Sequence, residues 1–276
     1  RTALRNGDVV EVITGEKIAP VPGYEALTKT GRATSAQRRL QRAAQREEFE
    51  RIGRQLVAHA LHRYGHELAE TALQKAAEKL GKSGAIWVDA QMRTSDPHIY
   101  AAGDCVEHYH LVLGENAWIP LATSANKGGR IAGDNMSGQQ SSFPGIAGTA
   151  VVKVFDYTMA VTGVTERQAS EHGKWGAKGE AVGSTVVTAW EKAGYWPGAE
   201  KIKVKLVYQK SDGQILGGQI VGKAGVNKRI DIIATALSAR MNVETLGMLD
   251  LSYAPPYSPT YDPVQVCANV AARGAE

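Results

Sequence analysis

Cysteine is scarce in this chain of 276 residues: Cys105 and Cys267 are the only two, far apart and in unlike surroundings. No disulfide framework and no CxxC redox or zinc motif can be built from them. Long apolar runs are missing as well. Nowhere do eighteen apolar residues follow one another, and the opening RTALRNGDVV has neither a hydrophobic signal core nor an initiator methionine. These absences predict a cytoplasmic protein, or a piece of one, in a reducing compartment. The seven histidines form no HExxH pattern, and His59, His62 and His66 lie at helical spacing on a charged segment, as on a solvated helix face. No metal site is expected.

What is present is ordinary globular composition, 43% hydrophobic and 22% charged, with a net charge of +4. The charge is uneven: residues 1 to 83 hold 15 Lys and Arg against 10 Asp and Glu, while the remainder holds 17 against 18. A basic surplus at one end suggests nucleic acid or phosphate there and gives no such hint elsewhere.

The first residues combine an Asn-Gly turn, an alternating run from Val9 to Ile13 and a connector from Pro20 to Gly23, which predicts a strand leading into a loop. From Thr34 to Leu80 there is no proline, and Leu40, Ala44, Phe49, Ile52, Leu56, Ala60, Leu61 and Tyr64 recur at helical intervals. Thr34 or Ser35 is the expected N-cap. At Gly81 to Gly84 the character changes to AIWVD, a strand, and then to MRTSDPHIYAAGD, a loop feeding a second apolar strand. NAWIPLATSANKGGRIAGDNMSG reads as a loop and a helix ending at the glycines, and SSFPGI as a linker. Beyond it lie two strands in TAVVKVFDYTMAVTGV, a capped helix in TERQASEHG, a strand in STVVTAW and a hairpin around KSDG. Helices follow at Asn227 to Arg240 and Val264 to Ala272, making an α+β domain.

The densest stretch is IYAAGDC, residues 99 to 105. An apolar strand ending in small residues lets a ligand come close, Gly103 removes the last side-chain obstacle, and Asp104 offers a carboxylate to sugar or polyol hydroxyls. PLATSANKGGR then opens a helix whose first N–H groups favour an anion. The pair reads either as a cofactor seat or as a buried strand with a capping aspartate. Cys105 is expected on that buried strand, packed and unreactive.

The runs MRTSDPHIYAAGDCVE, WIPLATSANKGGRIAGDNM, FPGIAGTAVVKVFD and LSYAPPYSPTYDPV, in that order, resemble the C-terminal half of FAD-dependent pyridine nucleotide-disulfide oxidoreductases. The nearest branch is that of coenzyme A disulfide reductases and their NADH oxidase and persulfide reductase relatives. The resemblance implies an α/β plus α+β fold, with the end of a Rossmann-like FAD-binding domain over residues 81–143 and a dimerisation domain over 144–276. It implies that Asp104 binds a ribityl hydroxyl of FAD, that Gly103 makes room for it, and that Leu121, Ala122 and Thr123 present backbone N–H groups to the flavin's pyrimidine edge. NAD(P)H as reductant and a homodimer follow from the family alone. Tyr195 in GYWPGA and Tyr253 in SYAPP match tyrosines that reach the partner's reactive cysteine; aromatics at a domain interface are the competing reading. Tyr261 stands where relatives carry Lys. The glycine-rich FAD turn, a second such turn for NAD(P)H and the nucleophilic cysteine are not among these residues.

NGDVVEVIT and KTGRA, with the helical segment after them, resemble the end of the TGS domain and the following region of RelA/SpoT-type guanosine tetraphosphate synthetase/hydrolases. That resemblance implies a partial TGS-like segment over 1–33, helices over 34–80 and a regulatory contact with tRNA on the ribosome. On this reading the chain joins two unrelated fragments, a chimera. The arginines 38, 39, 42, 46, 51 and 54 would carry the contact, or would form a solvent face salt-bridged to Glu47, Glu48 and Glu50.

Overall fold

A computed structural model describes residues 48, 51, 52, 55, 58, 59, 62, 63 and 65, then 80–176 and 181–275. The chain divides into two compact units, residues 1–74 and 75–276. In the first, all described positions but Gly65 are helical. Arg51 there pairs with Glu48, both exposed, at 2.6 and 2.9 Å, a contact of small energetic weight. The expected strand at Val9 to Ile13, the N-cap and Arg38, Arg39, Arg42, Arg46 and Arg54 lie outside the described residues.

The second unit begins with a small sheet of three strands: β1 (Ile86–Trp87), β2 (Val106–His110) and β3 (Glu115–Ala117). β1 runs parallel to β2, and β3 pairs antiparallel on its other side. Helix α1 (Ala122–Met136) buries Ser124, Gly128 and Ala132, a stripe at i, i+4 spacing. Small residues are required there, because a Cβ on Gly128 would stand 3.3 Å from both His108 and Met92. The helix does not end at its glycines: it passes through Gly128, Gly129 and Gly133, held by Val88, Met92, Val106, Ala132, Phe143 and Ile146 in one apolar cluster.

Five antiparallel strands follow: β4 (Ala150–Val154), β5 (Tyr157–Gly163), β6 (Val182–Trp190), β7 (Lys201–Gln209) and β8 (Ile215–Gly222), in the spatial order β4-β5-β8-β7-β6. β7 shows why one face is covered: Ile202, Val204, Leu206 and Tyr208 are buried, while Lys201 and Lys203, which alternate with the first two, are exposed. Helices α3 (Val226–Ser238) and α5 (Pro263–Ala275) pack on that apolar face, and α4 (Val243–Gly247), not foreseen from sequence, packs beside α5. The short α2 (Glu166–Glu171) starts at a full capping box of Thr165 and Gln168, as TERQASEHG predicts. Burying each Ile or Leu of this core contributes about 1.5–3 kcal/mol. Among the described residues no helix is long and apolar enough to cross a membrane.

Candidate functional site

The sequence places IYAAGDC in a strand; the structure does not. Tyr100 makes only an isolated bridge to Arg93, Ala101 and Ala102 are irregular, and β2 starts after the motif, at Val106. Gly103 to Val106 form a turn, closed by the Val106 N–H on the Gly103 carbonyl at 3.2 Å. Gly103 has φ +93°, a left-handed conformation that glycine adopts without strain, and this is what breaks the strand. Asp104 therefore stands before a strand, not at its C-terminal end, and its side chain is exposed. Its backbone carbonyl accepts the Trp118 indole N–H at 2.8 Å, which ties the turn to the segment leading into α1. Cys105 is exposed in the same turn and not buried, with its thiol donating to the Ala102 carbonyl at 3.4 Å.

Helix α1 begins at Leu121, whose extended backbone serves as N-cap without any side-chain cap, and its first turn has no acidic residue. Ser124 turns its hydroxyl back to the Leu121 carbonyl at 2.8 Å, leaving Ala122 and Thr123 exposed at the helix entrance. The N–H groups of that turn carry the positive end of the helix dipole. Ala125 is the nearest neighbour of the Cβ position at Gly103, at 4.0 Å, so the turn and the helix entrance adjoin and leave open space between them. Leu121 and Thr123 also line a cleft of about 570 Å³ whose far wall includes Asn227 and Asp231 of α3. Gly103, Asp104 and Ala122 are not part of that lining.

A second group of residues meets at the other end of the large sheet. Tyr195, on the loop after β6, and Tyr253, after α4, are both exposed, and their phenols interact. Interaction with the Tyr253 side chain first, then burial and the Tyr253 charge, holds the Tyr195 phenol above its ordinary range. The two loops are joined directly by the Ala193 N–H on the Pro255 carbonyl at 3.1 Å. Beside Tyr253 opens a cleft of about 530 Å³, lined by Lys192, Lys228, Ser252 and Tyr257 among others. Tyr261 is exposed and makes no part of that lining.

Sequence reasoning missed the group beneath these loops. Arg229 is fully buried in α3, on the stripe shared by Val226, Ile230, Ile233 and Leu237. Its Nε stands 3.1 and 3.0 Å from the two oxygens of buried Asp262, and its remaining nitrogens donate to the Gly225 and Glu191 carbonyls. A charge on an apolar stripe was the available signal, since such a residue is buried only if paired. His108 and His110, in HYH on β2, were missed as well. Both are buried, and the imidazole of His110 is pushed down to about 4 by burial first, then by the Lys174 and His172 charges. Burial also lowers His108, neither of whose ring nitrogens has a hydrogen-bond partner.

With this geometry in hand, the comparisons with known proteins are consistent. Residues 149–263 match the dimerisation domain of pyridine nucleotide-disulphide oxidoreductases, and residues 14–129 match the pyridine nucleotide-disulphide oxidoreductase domain itself. The chain is 38% identical over 192 residues to the CoA-dependent NAD(P)H sulfur oxidoreductase of Pyrococcus furiosus, covering 70% of this chain and 42% of that protein. It is 33% identical over 181 residues to a Staphylococcus aureus coenzyme A disulfide reductase, covering 65% and 40%. A solved NAD-dependent persulfide reductase from A. fulgidus superposes with a TM-score of 0.68 at 44% identity, covering 74% of this chain and 37% of that one. The chain thus spans about two fifths of the length of these relatives. The oxidoreductase match begins at residue 14, inside the segment expected to resemble RelA/SpoT-type enzymes, and the comparisons give no support to that resemblance, to a chimera or to contact with tRNA or the ribosome. The chain thus carries two domains of the pyridine nucleotide-disulphide oxidoreductases and belongs to that family.

Proposed function

We propose that this chain forms one edge of a flavin site and the dimer arm of an NAD(P)H-dependent reductase acting on coenzyme A disulfides or persulfides in the cytoplasm. The observation that carries the reading is the convergence of Tyr195 and Tyr253 at an exposed edge of the dimerisation domain, beside a cleft with two lysines. In a homodimer built through residues 144–276, this edge faces a reactive sulfur of the partner subunit. The Tyr253 hydroxyl, beside the cleft, donates to that sulfur, and Tyr195, which holds its proton more tightly than an ordinary tyrosine, lies against it. Lys228, together with Lys192, which is paired with Glu191 of the same cleft at 3.4 Å, favours an anionic substrate such as coenzyme A.

The residues at the other site fit FAD. Asp104 has an exposed carboxylate to accept a ribityl hydroxyl, Gly103 leaves space beside it, and the uncapped first turn at Leu121, Ala122 and Thr123 offers N–H groups to an electron-rich ring edge. FAD, when bound, supplies the relay of an electron pair from NAD(P)H to a cysteine sulfur. The chain's own residues hold the ring edge and accept the sugar hydroxyl.

Titrating the chain with coenzyme A, while following the ring carbons of Tyr195 and Tyr253 by NMR, tests the substrate assignment. Saturable shifts at both rings, weakened when Lys192 and Lys228 are changed to Met, are expected. Shifts at neither ring at millimolar coenzyme A reject it.

A further inference from the structure

The tyrosine pair is exposed, and exposed side chains on loops do not hold a geometry by themselves. Something beneath them must. The Glu191 carbonyl, which begins the loop carrying Tyr195, accepts Nη2 of Arg229 at 2.6 Å. Asp262, which closes the segment carrying Tyr253, accepts Nε of the same guanidinium with both oxygens. Asp262 in turn gathers its own segment, accepting the Ser258 hydroxyl at 3.1 Å and the Val264 N–H at 3.0 Å. Its backbone N–H donates to Gln265 Oε1 at 3.2 Å, and Gln265 Nε2 reaches back to the Leu249 carbonyl at 2.6 Å, just before Tyr253. The third arm of Arg229 holds the Gly225 carbonyl at the start of α3. One planar fork thus ties the helix, the Tyr195 loop and both ends of the Tyr253 segment into a single arrangement. Lysine, a point donor on a flexible stem, cannot span three such acceptors at once.

We propose that Arg229, acting through Asp262, is a positioning residue for the Tyr195–Tyr253 pair: it sets the separation of the two loops and so the approach of the two phenols. The function of the pair rests on the reading above. The positioning itself does not, and it is read without substrate.

The test is the titration of the Tyr195 phenol, followed at its ring carbon by NMR in the intact chain. Tyr253→Phe calibrates it, since removing the neighbouring hydroxyl brings Tyr195 down toward the ordinary tyrosine value. Asp262→Asn, Arg229→Lys and the milder Ser258→Ala touch neither tyrosine. They are expected to move the Tyr195 titration in the same direction, Asp262→Asn and Arg229→Lys by most of the Tyr253→Phe change and Ser258→Ala by a smaller part. If the variants fold, melt earlier and leave the Tyr195 titration where it was, the network is a core staple and the proposal is overturned. Should Asp262→Asn and Arg229→Lys fail to fold, Ser258→Ala decides alone: an unmoved titration overturns the proposal and a shift toward Tyr253→Phe supports it. A chain that passes this test and ignores coenzyme A would retain the positioning role and lose the substrate assignment.

Discussion

The Arg229 guanidinium lies on the Asp262 carboxylate at 3.0 and 3.1 Å, with neither side chain reaching solvent. Removing one partner strands the other charge in the core. Arg229→Met is therefore expected to cost about 3–5 kcal/mol in urea unfolding. The double change Arg229→Met with Asp262→Leu is expected to cost less than Arg229→Met alone, because no unpaired charge remains. A double variant as unstable as the sum of the singles would show that the pair interacts little.

Thiol reactivity should separate the two cysteines. Cys105 is exposed in its turn, whereas burial pushes the Cys267 thiol up to about 12, with hydrogen bonds from the backbone opposing that only in part. Iodoacetamide at pH 8 is expected to label Cys105 in the folded chain and Cys267 only after denaturation. Rapid native labelling of Cys267 would contradict its placement on α5 against β6 and β7.

Stability should fall in acid through His110. Its folded-state value of about 4 lies below the unfolded value of 6.5, so between these limits the unfolded chain binds a proton that the folded chain does not. Stability is therefore full above about pH 6.5 and falls as pH drops toward 4, by about 1.4 kcal/mol per pH unit for this site. Lowering of His108 by burial acts in the same direction. The Nδ1 atom of His110 accepts the Val112 and Leu113 N–H groups. His110→Asn, which keeps an acceptor near that point, is expected to flatten the acid limb measured by urea melts at several pH values.

Two glycine substitutions should have opposite signs. A Cβ on Gly217 in β8 would fall inside contact of the Val164 backbone, where β8 pairs with Gly163 of β5. Gly217→Ala is expected to lose about 1–3 kcal/mol. A Cβ on Gly133 in α1 meets nothing within 4 Å, so Gly133→Ala is expected to gain about 0.5–1 kcal/mol from helix propensity. Thermal melts of the two variants give the comparison.

Most of residues 150–275 was legible because each element carries a local signature. Alternation marks β7, the KSDG turn sets the β7–β8 register, and Thr165 with Gln168 announces α2. IYAAGDC misled because small apolar residues have no period to distinguish strand from loop; the positive φ of Gly103 is a backbone choice that composition does not reveal. The tyrosines were found through resemblance, but their meeting was not visible, since it depends on which loops the sheet brings side by side. Arg229 was hidden by its neighbours: within KRID the arginine looks like any surface charge until the stripe through Val226, Ile230 and Ile233 is drawn across it.

Binding of FAD to the purified chain, followed by flavin fluorescence anisotropy and compared with Asp104→Ala, tests most directly whether the Gly103–Asp104 turn and the α1 entrance form a flavin-facing edge. Saturable binding, weakened about 10-fold or more by loss of one charged hydrogen-bond acceptor, is the predicted result. No binding by the folded chain, or equal binding by Asp104→Ala, would contradict it.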